Sequence, residues 1–517
     1  MTGSRLSTVT RATPTTDVAV LGGGPAGTTA ARMLAHLGHR VVLLTRPAPG
    51  PPLAESLTPS CAKLLARIGV LEAVNRAGFV RSTGHTVRWG SGTARVEPFA
   101  DGELGWQLSS ADLERVLLKE AKAAGALVHR HASVRAVMVN DDGAASRVSY
   151  EERGRIRQIE APWVIDCTGR TGLMSRSGSG RLAAGARTIA IVGTWERRPH
   201  WKLADETHTH VESYPGGWAW SVPLSRTRRQ VTVMLDPTRT DVARGSRLRL
   251  TYREELARTA MIRGMIEGAR FLGSPWARDA SSYESAAPAY RRVLVAGDAA
   301  SFVDPLSSYG VKKAMASAWL AATVVHSVLR DASIEEAALA LFAVRERAMM
   351  SGLKRQLAEL AREAAEAHAE AHAEARPQLH PAGFWGDRAG ADIVDAGGDP
   401  DVAALRADDD VRAAFEEIRS RPTIEFRAVS NVRRGPRPVV LGDRVVLADH
   451  LIVPAFPEGI RYIRSVDLMR LADLAPAQRE VPALFDAYNK TGTPAAIEDF
   501  LGALAVLVGK GILEFSA

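Results

Sequence analysis

Asp17-Val-Ala-Val-Leu-Gly-Gly-Gly-Pro-Ala-Gly27 is the stretch that decides the fold. It opens on a short apolar run with β-branched residues, and Gly22, Gly24 and Gly27 follow in G-x-G-x-x-G spacing. Residues 28–37 are Ala-rich and read as a helix that Gly38 ends, and Arg40-Val-Val-Leu-Leu44 reads as a second buried strand. Strand, glycine turn, helix and strand make a βαβ unit. The first glycine permits the tight turn, the second lets a pyrophosphate approach the backbone, and the third lets helix and strand pack closely. The helix N-terminus then faces the phosphate charge, so the motif predicts a dinucleotide site.

Further strands are expected at 163–166 and 292–296, the latter leading into Gly297-Asp298. Between them, residues 187–282 alternate apolar and polar side chains, the pattern of an antiparallel sheet inserted into the nucleotide-binding fold. Residues 314–329 and 353–376 read as helices. His368 and His372 share a face of the second at i, i+4, but no HExxH pattern accompanies them, so an exposed polar face is the simpler reading. Residues 386–410, rich in Gly, Asp and Ala, read as a loose connection, and Arg433-Arg-Gly-Pro-Arg-Pro438 as a boundary. A small hairpin over 445–453, helices near 465–474, 481–488 and 495–510 and a closing strand at 511–515 then predict a small α+β terminal domain.

The 517 residues are 46% apolar and 24% charged, which excludes wholesale disorder and suits two or three domains. The formal net charge of +8 is spread along the chain. It reads as a solvated basic surface, with an anionic cofactor or an acidic partner as the alternative. Cys61 and Cys167 form no CxxC pair, so zinc and thioredoxin-type chemistry have no support. The polar first sixteen residues read as a frayed tail rather than a secretory signal, and the longest apolar stretches are too short or interrupted to span a bilayer. A soluble, cytoplasmic protein is the expectation.

Thr45-Arg46 stands where an acid for the adenosine ribose is expected, and Arg46 suits a 2′-phosphate, which favours NADP. Two further segments point to FAD. Val164-Ile-Asp-Cys-Thr-Gly169 and Val295-Ala-Gly-Asp-Ala-Ala300 resemble the second and third fingerprints of the glutathione-reductase-type FAD fold. In that family the aspartate of the third, here Asp298, contacts the ribityl chain and pyrophosphate side of FAD. Glu55-Ser-Leu-Thr-Pro59, Trp218-Ala-Trp-Ser-Val-Pro223 and Asp304-Pro-Leu-Ser-Ser-Tyr-Gly310 narrow the resemblance to flavin-dependent halogenases and their hydroxylase relatives.

That resemblance implies an α/β, FAD-binding Rossmann-like fold of the glutathione-reductase and hydroxybenzoate-hydroxylase type. The expected parts are an FAD domain over 1–180 and 285–345, a substrate sheet over 181–284, a helical segment and linker over 346–430, and a small winged-helix-like domain over 431–517. It implies that Gly22, Gly24, Ala26, Gly27, Thr45, Arg46, Glu55, Ser56, Asp298, Pro305, Gly310 and Val311 bind the cofactor, and it brings Tyr309 among the catalytic candidates. The halogenases carry a lysine seven or so residues before a tryptophan, and Ser82 holds that place before Trp89; no lysine lies within 69–118. Ser307 replaces the glutamate of the tryptophan halogenases. Both departures favour hydroxylation of an electron-rich indole or phenol, with His85 as a candidate base or else a structural strand residue.

The terminal domain's likeness to winged-helix peptide-recognition elements, and the chain's likeness to flavoproteins that hydroxylate peptidyl tryptophan, bring in a peptide or protein substrate beside a small aromatic one. A separate flavin reductase is a further implied partner. Residues 481–488 hold no Arg/Lys-rich recognition surface, so no nucleic acid is expected, and the short, interrupted apolar stretches give no reason to expect a membrane. A halogenase, a flavin-dependent reductase of prenyl-type double bonds and a non-catalytic flavoprotein that chaperones a peptide remain the alternatives.

Overall fold

The computed structural model describes residues 15–47, 50–90, 92–140, 145–177, 180–242, 245–307, 309–373, 384–389, 402–421 and 423–516. Val18–Leu21 forms the middle of a six-stranded sheet, between Val41–Thr45 on one side and Trp163–Asp166 on the other. The pairings are parallel, with Val18 opposite Val41 and Leu21 opposite Asp166. All four residues of this strand are buried, as a parallel strand covered on both faces requires. The helix starts at Pro25, three residues before the expected 28, because proline at N1 is pre-organised for the first turn and its missing N–H is not needed there. A three-stranded antiparallel layer, Ala132–Val139, Ser146–Glu152 and Arg155–Ala161, shares a core with the sheet through Leu21, Leu44, Val148, Tyr150 and Ile159.

A seven-stranded sheet holds Ile189–Glu196, Thr209–Tyr214, Gly217–Pro223, Arg228–Leu235 and Arg270–Asp279. Its last two strands, Gly84–Arg88 and Arg95–Pro98, come from far upstream. The expected limits of 181–284 are therefore too narrow. Gly84–Arg88 joins in parallel, with His85 opposite Thr209 and Val87 opposite Val211. Alternating side chains divide between two cores. One face packs Ile191, Val231, Val233 and Leu235 against the helices Leu248–Ala257 and Met261–Ile266. The other packs Trp89, Trp218 and Met234 against Ala361, Ala364, Phe384 and Trp385.

The chain divides into two compact units: 1–325 with 353–393, and 326–352 with 394–517. This moves the expected boundaries at 345 and 430, since 326–352 and 394–430 belong with the terminal unit. Arg433–Leu441 is not a boundary but a strand, paired with Arg444–Val453. Pro436 and Pro438 fit because this strand lies at the sheet's edge, where one side needs no N–H donors. Residues 390–401 of the expected loose connection lie outside the described residues, but Val402–Ala407 and Asp409–Ser420 are helical, with Leu405 and Val411 buried in the unit's core. Asp408 caps the second of these helices by accepting from Val411 N. Leu468–Leu474, Val481–Lys490 and Ile497–Gly509 enclose the same core around Leu484, Tyr488, Phe500 and Leu504. Leu513–Phe515 closes the unit against Phe426–Ala428.

Candidate functional site

Gly22 has φ +109°, and a Cβ there would sit 2.1 Å from the Cys167 carbonyl oxygen. A Cβ on Gly27 would lie 1.8 Å from the Gly22 oxygen. These two glycines let the turn fold onto its own backbone. Gly24 differs: a Cβ there meets no protein atom within 4 Å. It is also the N-cap of Pro25–His36, with no side-chain cap and no acid in the first turn. The open space and the unclaimed N–H groups fit a pyrophosphate.

The second fingerprint is held by Asp166, fully buried, which accepts from Thr168 N (2.9 Å), Thr168 Oγ1 (2.6 Å) and Met174 N (2.7 Å). Thr45 is buried against the glycine turn, where its Oγ1 would lie 2.0 Å from a Cβ on Gly23. The exposed Arg46 donates to Thr171 Oγ1 (3.2 Å), so it already serves the second fingerprint. Ala26 touches the third, because a Cβ on Gly297 would lie 2.8 Å from its own. Glycine turn, Asp166 loop and Gly297-Asp298 thus meet around one cradle.

A small cavity of about 70 Å³ is lined by Glu55, Ser56, Thr209, Trp220, Pro305 and Gly310 among others. Four of the predicted cofactor residues converge there. Val311 lies beside it in the first turn of Gly310–Arg330. The Tyr309 carbonyl accepts from Lys313 N (2.7 Å), and its ring lies 5.2 Å from the Lys312 ammonium. Ser308 and the Ser307 side chain lie outside the described residues. Ser82 is buried, and its hydroxyl donates to the Gly84 carbonyl (3.0 Å). His85 is not in the cavity wall; the register places it beside the lining residue Thr209, on the same face of the sheet. Its ring meets Phe99 edge-on at 5.0 Å, and its buried Nδ1 has no hydrogen-bond partner among the described residues. Burial, helped by His208 and opposed by Glu97, holds its pKa below the usual histidine value and so favours the neutral ring.

Sequence reasoning missed three features. Gln107, buried, donates to Thr209 Oγ1 (3.0 Å), which donates to Ser56 Oγ (3.2 Å), a polar chain ending at the cavity. Only Ser56 carried a motif signal, since three distant segments supply the group. The Trp218 N–H faces the buried Asp304 carboxyl without reaching hydrogen-bond geometry, and burial pushes that carboxyl up to about 6. On the far face of the sheet, His208 is held between Thr83 Oγ1 and Thr86 Oγ1, each at 3.0 Å. His368 Nε2 meets Ser213 Oγ at 3.0 Å, while the His372 side chain lies outside the described residues. Among the described residues no three His, Cys, Asp or Glu side chains gather as a metal site, and no helix is long and apolar enough to cross a membrane.

The model of the FAD binding domain family matches residues 15–349, well over half of the chain. The chain belongs to that family. It is a flavoprotein of oxidoreductase type, and FAD is the group for which the cradle is built. A flavin-dependent halogenase of Armillaria mellea is 27% identical over 363 residues, 63% of this chain and 70% of its own length. A tryptophan 2-halogenase of Chondromyces crocatus is 28% identical over 61% of this chain and 62% of its own length. The chain thus spans about two thirds of the length of such relatives. Among solved structures, the flavin-dependent halogenase CmlS has TM-score 0.74 at 20% identity, covering 98% of this chain and 96% of its own. The peptidyl tryptophan dihydroxylase QhpG has TM-score 0.61 at 21% identity, covering 95% and 98%. At these identities the structural likeness shows the fold alone.

Burial first and Asp298 second push the Glu55 carboxyl up to about 7, while Arg278 pulls it down. It is neutral below that pH and adds a negative charge beside an anionic cofactor above it. The affinity of the apoprotein for FAD therefore falls as pH rises through 7, by up to about tenfold per pH unit for a single proton. Fluorescence titration between pH 6 and 8 measures this. Glu55→Gln flattens the profile, and an unchanged slope in that variant would remove Glu55 as its cause.

Proposed function

We propose that this flavoprotein is a monooxygenase that hydroxylates an electron-rich aromatic ring, an indole or phenol, with peptide-borne tryptophan among the candidate substrates. The observation that carries this reading is Ser82. It holds the position where the resemblance places the halogenase lysine, it is buried, and its hydroxyl is committed to Gly84. No side-chain amine from 69–118 is at hand to receive an oxidised halogen. Bound FAD, reduced by a separate flavin reductase, supplies activation of oxygen to an electrophilic form.

The chain's residues do the rest. Trp220, Val222 and Leu306 give the cavity apolar walls that exclude water, and the Gln107–Thr209–Ser56 chain supplies polar groups at its edge. His85 stands beside the lining residue Thr209 with its Nδ1 unpartnered among the described residues, and we assign it the ring N–H or O–H proton, relayed from the cavity, as the aromatic ring becomes electron-poor in the reaction. His85→Asn is expected to lower kcat by about 10²–10⁴ and to leave FAD binding intact. Incubation of the FAD-loaded protein with a reductase, ¹⁸O₂ and a panel of indoles, phenols and tryptophan peptides tests the reading. One labelled oxygen in a product supports it; reductant consumption that no panel member changes favours the peptide-chaperone alternative. The names of the relatives support halogenation as the second reading.

A further inference from the structure

Helix Gly310–Arg330 begins at the cavity wall, and one turn in it carries Lys313, which is 3% exposed. The ammonium donates to the Gly297 carbonyl (3.2 Å), to Ser301 Oγ (3.2 Å) and to the Ser301 carbonyl, and it lies 3.6 Å from Asp298 Oδ1. One turn further, Ser317 Oγ accepts from Gly297 N (2.9 Å). Segment 297–301 is thus fastened to the helix by two polar side chains on a stripe that continues through the buried Ala321 and Val324. The same segment touches Ala26 in the first turn of the pyrophosphate-binding helix. A long, flexible, strongly hydrated ammonium is costly to bury, and a local staple needs no charge.

We propose that Lys313 sets the charge of the FAD site: its ammonium compensates Asp298, so that an anionic cofactor is accepted beside an aspartate and its reduced form is favoured. Asp298 is one-third exposed, and Glu55 is a second acid within electrostatic reach of it. FAD brings a pyrophosphate dianion to the same place. Arg170 and Arg278 also act on these acids, and Arg170 is engaged over the Phe302 ring at 3.9 Å. Lys313 lies within ion-pair distance of Asp298, at 3.6 Å. Reduction adds negative charge to the bound cofactor, so a buried cation nearby stabilises the reduced form over the oxidised one. The role concerns FAD binding and does not depend on whether the enzyme hydroxylates or halogenates.

Redox titration of the FAD-loaded protein, with FAD titration of the apoprotein, tests this in Lys313→Met, Lys313→Arg, Asp298→Asn and the double variant K313M/D298N. Lys313→Met is expected to bind FAD about tenfold more weakly. It is also expected to lose about tenfold in its preference for reduced over oxidised FAD, about 30 mV downward for a two-electron couple. Asp298→Asn moves the potential upward, Lys313→Arg keeps it, and the double variant returns toward the parent. A residue that only staples the loop moves stability and leaves the potential alone. An unchanged potential in Lys313→Met, or shifts of one sign in both single variants, would overturn the proposal. If Lys313→Met does not fold, an unchanged or lowered potential in Asp298→Asn overturns it equally.

Discussion

Gly24→Val abolishes flavin uptake while the protein stays folded. The backbone at Gly24 has φ −73° and ψ −173°, which any residue adopts, and a Cβ there points into space empty of protein atoms. Valine fills the room left for the pyrophosphate and withdraws the backbone N–H groups from it. FAD affinity is expected to fall at least about a hundredfold, ~2.7 kcal/mol. The change in stability is about 1 kcal/mol, that of a poor N-cap residue. Gly27→Ala behaves in the opposite way. Its Cβ would lie 1.8 Å from the Gly22 oxygen, so the turn itself has to shift and folding suffers first. Flavin absorbance per polypeptide and a thermal melt separate the two outcomes. A Gly24→Val protein that keeps its yellow colour would show that the pyrophosphate lies elsewhere.

Arg229→Met destabilises the sheet that carries the cavity by about 3–5 kcal/mol. Arg229 is fully buried, and burial lowers its pKa to about 9. It donates to the Glu206 carbonyl (2.8 Å), the His208 carbonyl (2.5 Å), Ser221 Oγ (2.8 Å) and the Ser221 carbonyl (3.1 Å). Methionine fills similar space but removes the guanidinium donor from each of these acceptors, at about 1–3 kcal/mol for each one left buried and unpaired. The loss reaches function because Thr209, in the cavity wall, follows His208 directly. Urea unfolding followed by tryptophan fluorescence measures it. A loss under about 1 kcal/mol would mean that water replaces the guanidinium.

The nucleotide-binding sheet was legible because its signals are local. An apolar run, three spaced glycines and a helix lie within one short stretch, and Asp298 follows a strand in the same way. The substrate sheet was legible only where its hairpins are sequential. Gly84–Arg88 pairs in parallel with Thr209–Tyr214 across more than a hundred residues, and no local pattern announces such a partner. The same holds for the Gln107–Thr209–Ser56 chain. Arg433–Leu441 misled for a different reason: two prolines argue against a strand unless the strand lies at an edge, and edge position is a property of the whole sheet. Lys313 left a readable signal, a lysine aligned with Ser317, Ala321 and Val324 on the buried stripe of its helix, but lysine at a helix start usually reads as solvated. His85 was singled out only by its spacing from Trp89; its place in the substrate sheet, beside the cavity wall rather than in it, depends on a pairing with Thr209 that no local pattern carries.

The choice between oxygen and halogen transfer rests on Ser82, and one mass measurement reaches it. The FAD-loaded protein, supplied with a flavin reductase, reductant, oxygen and excess bromide, is incubated with the indole, phenol and tryptophan-peptide panel, and each product mass is read. The expected product gains oxygen and carries no bromine at any bromide concentration. A product with the paired isotope pattern of bromine would contradict it and assign the protein to halogenation.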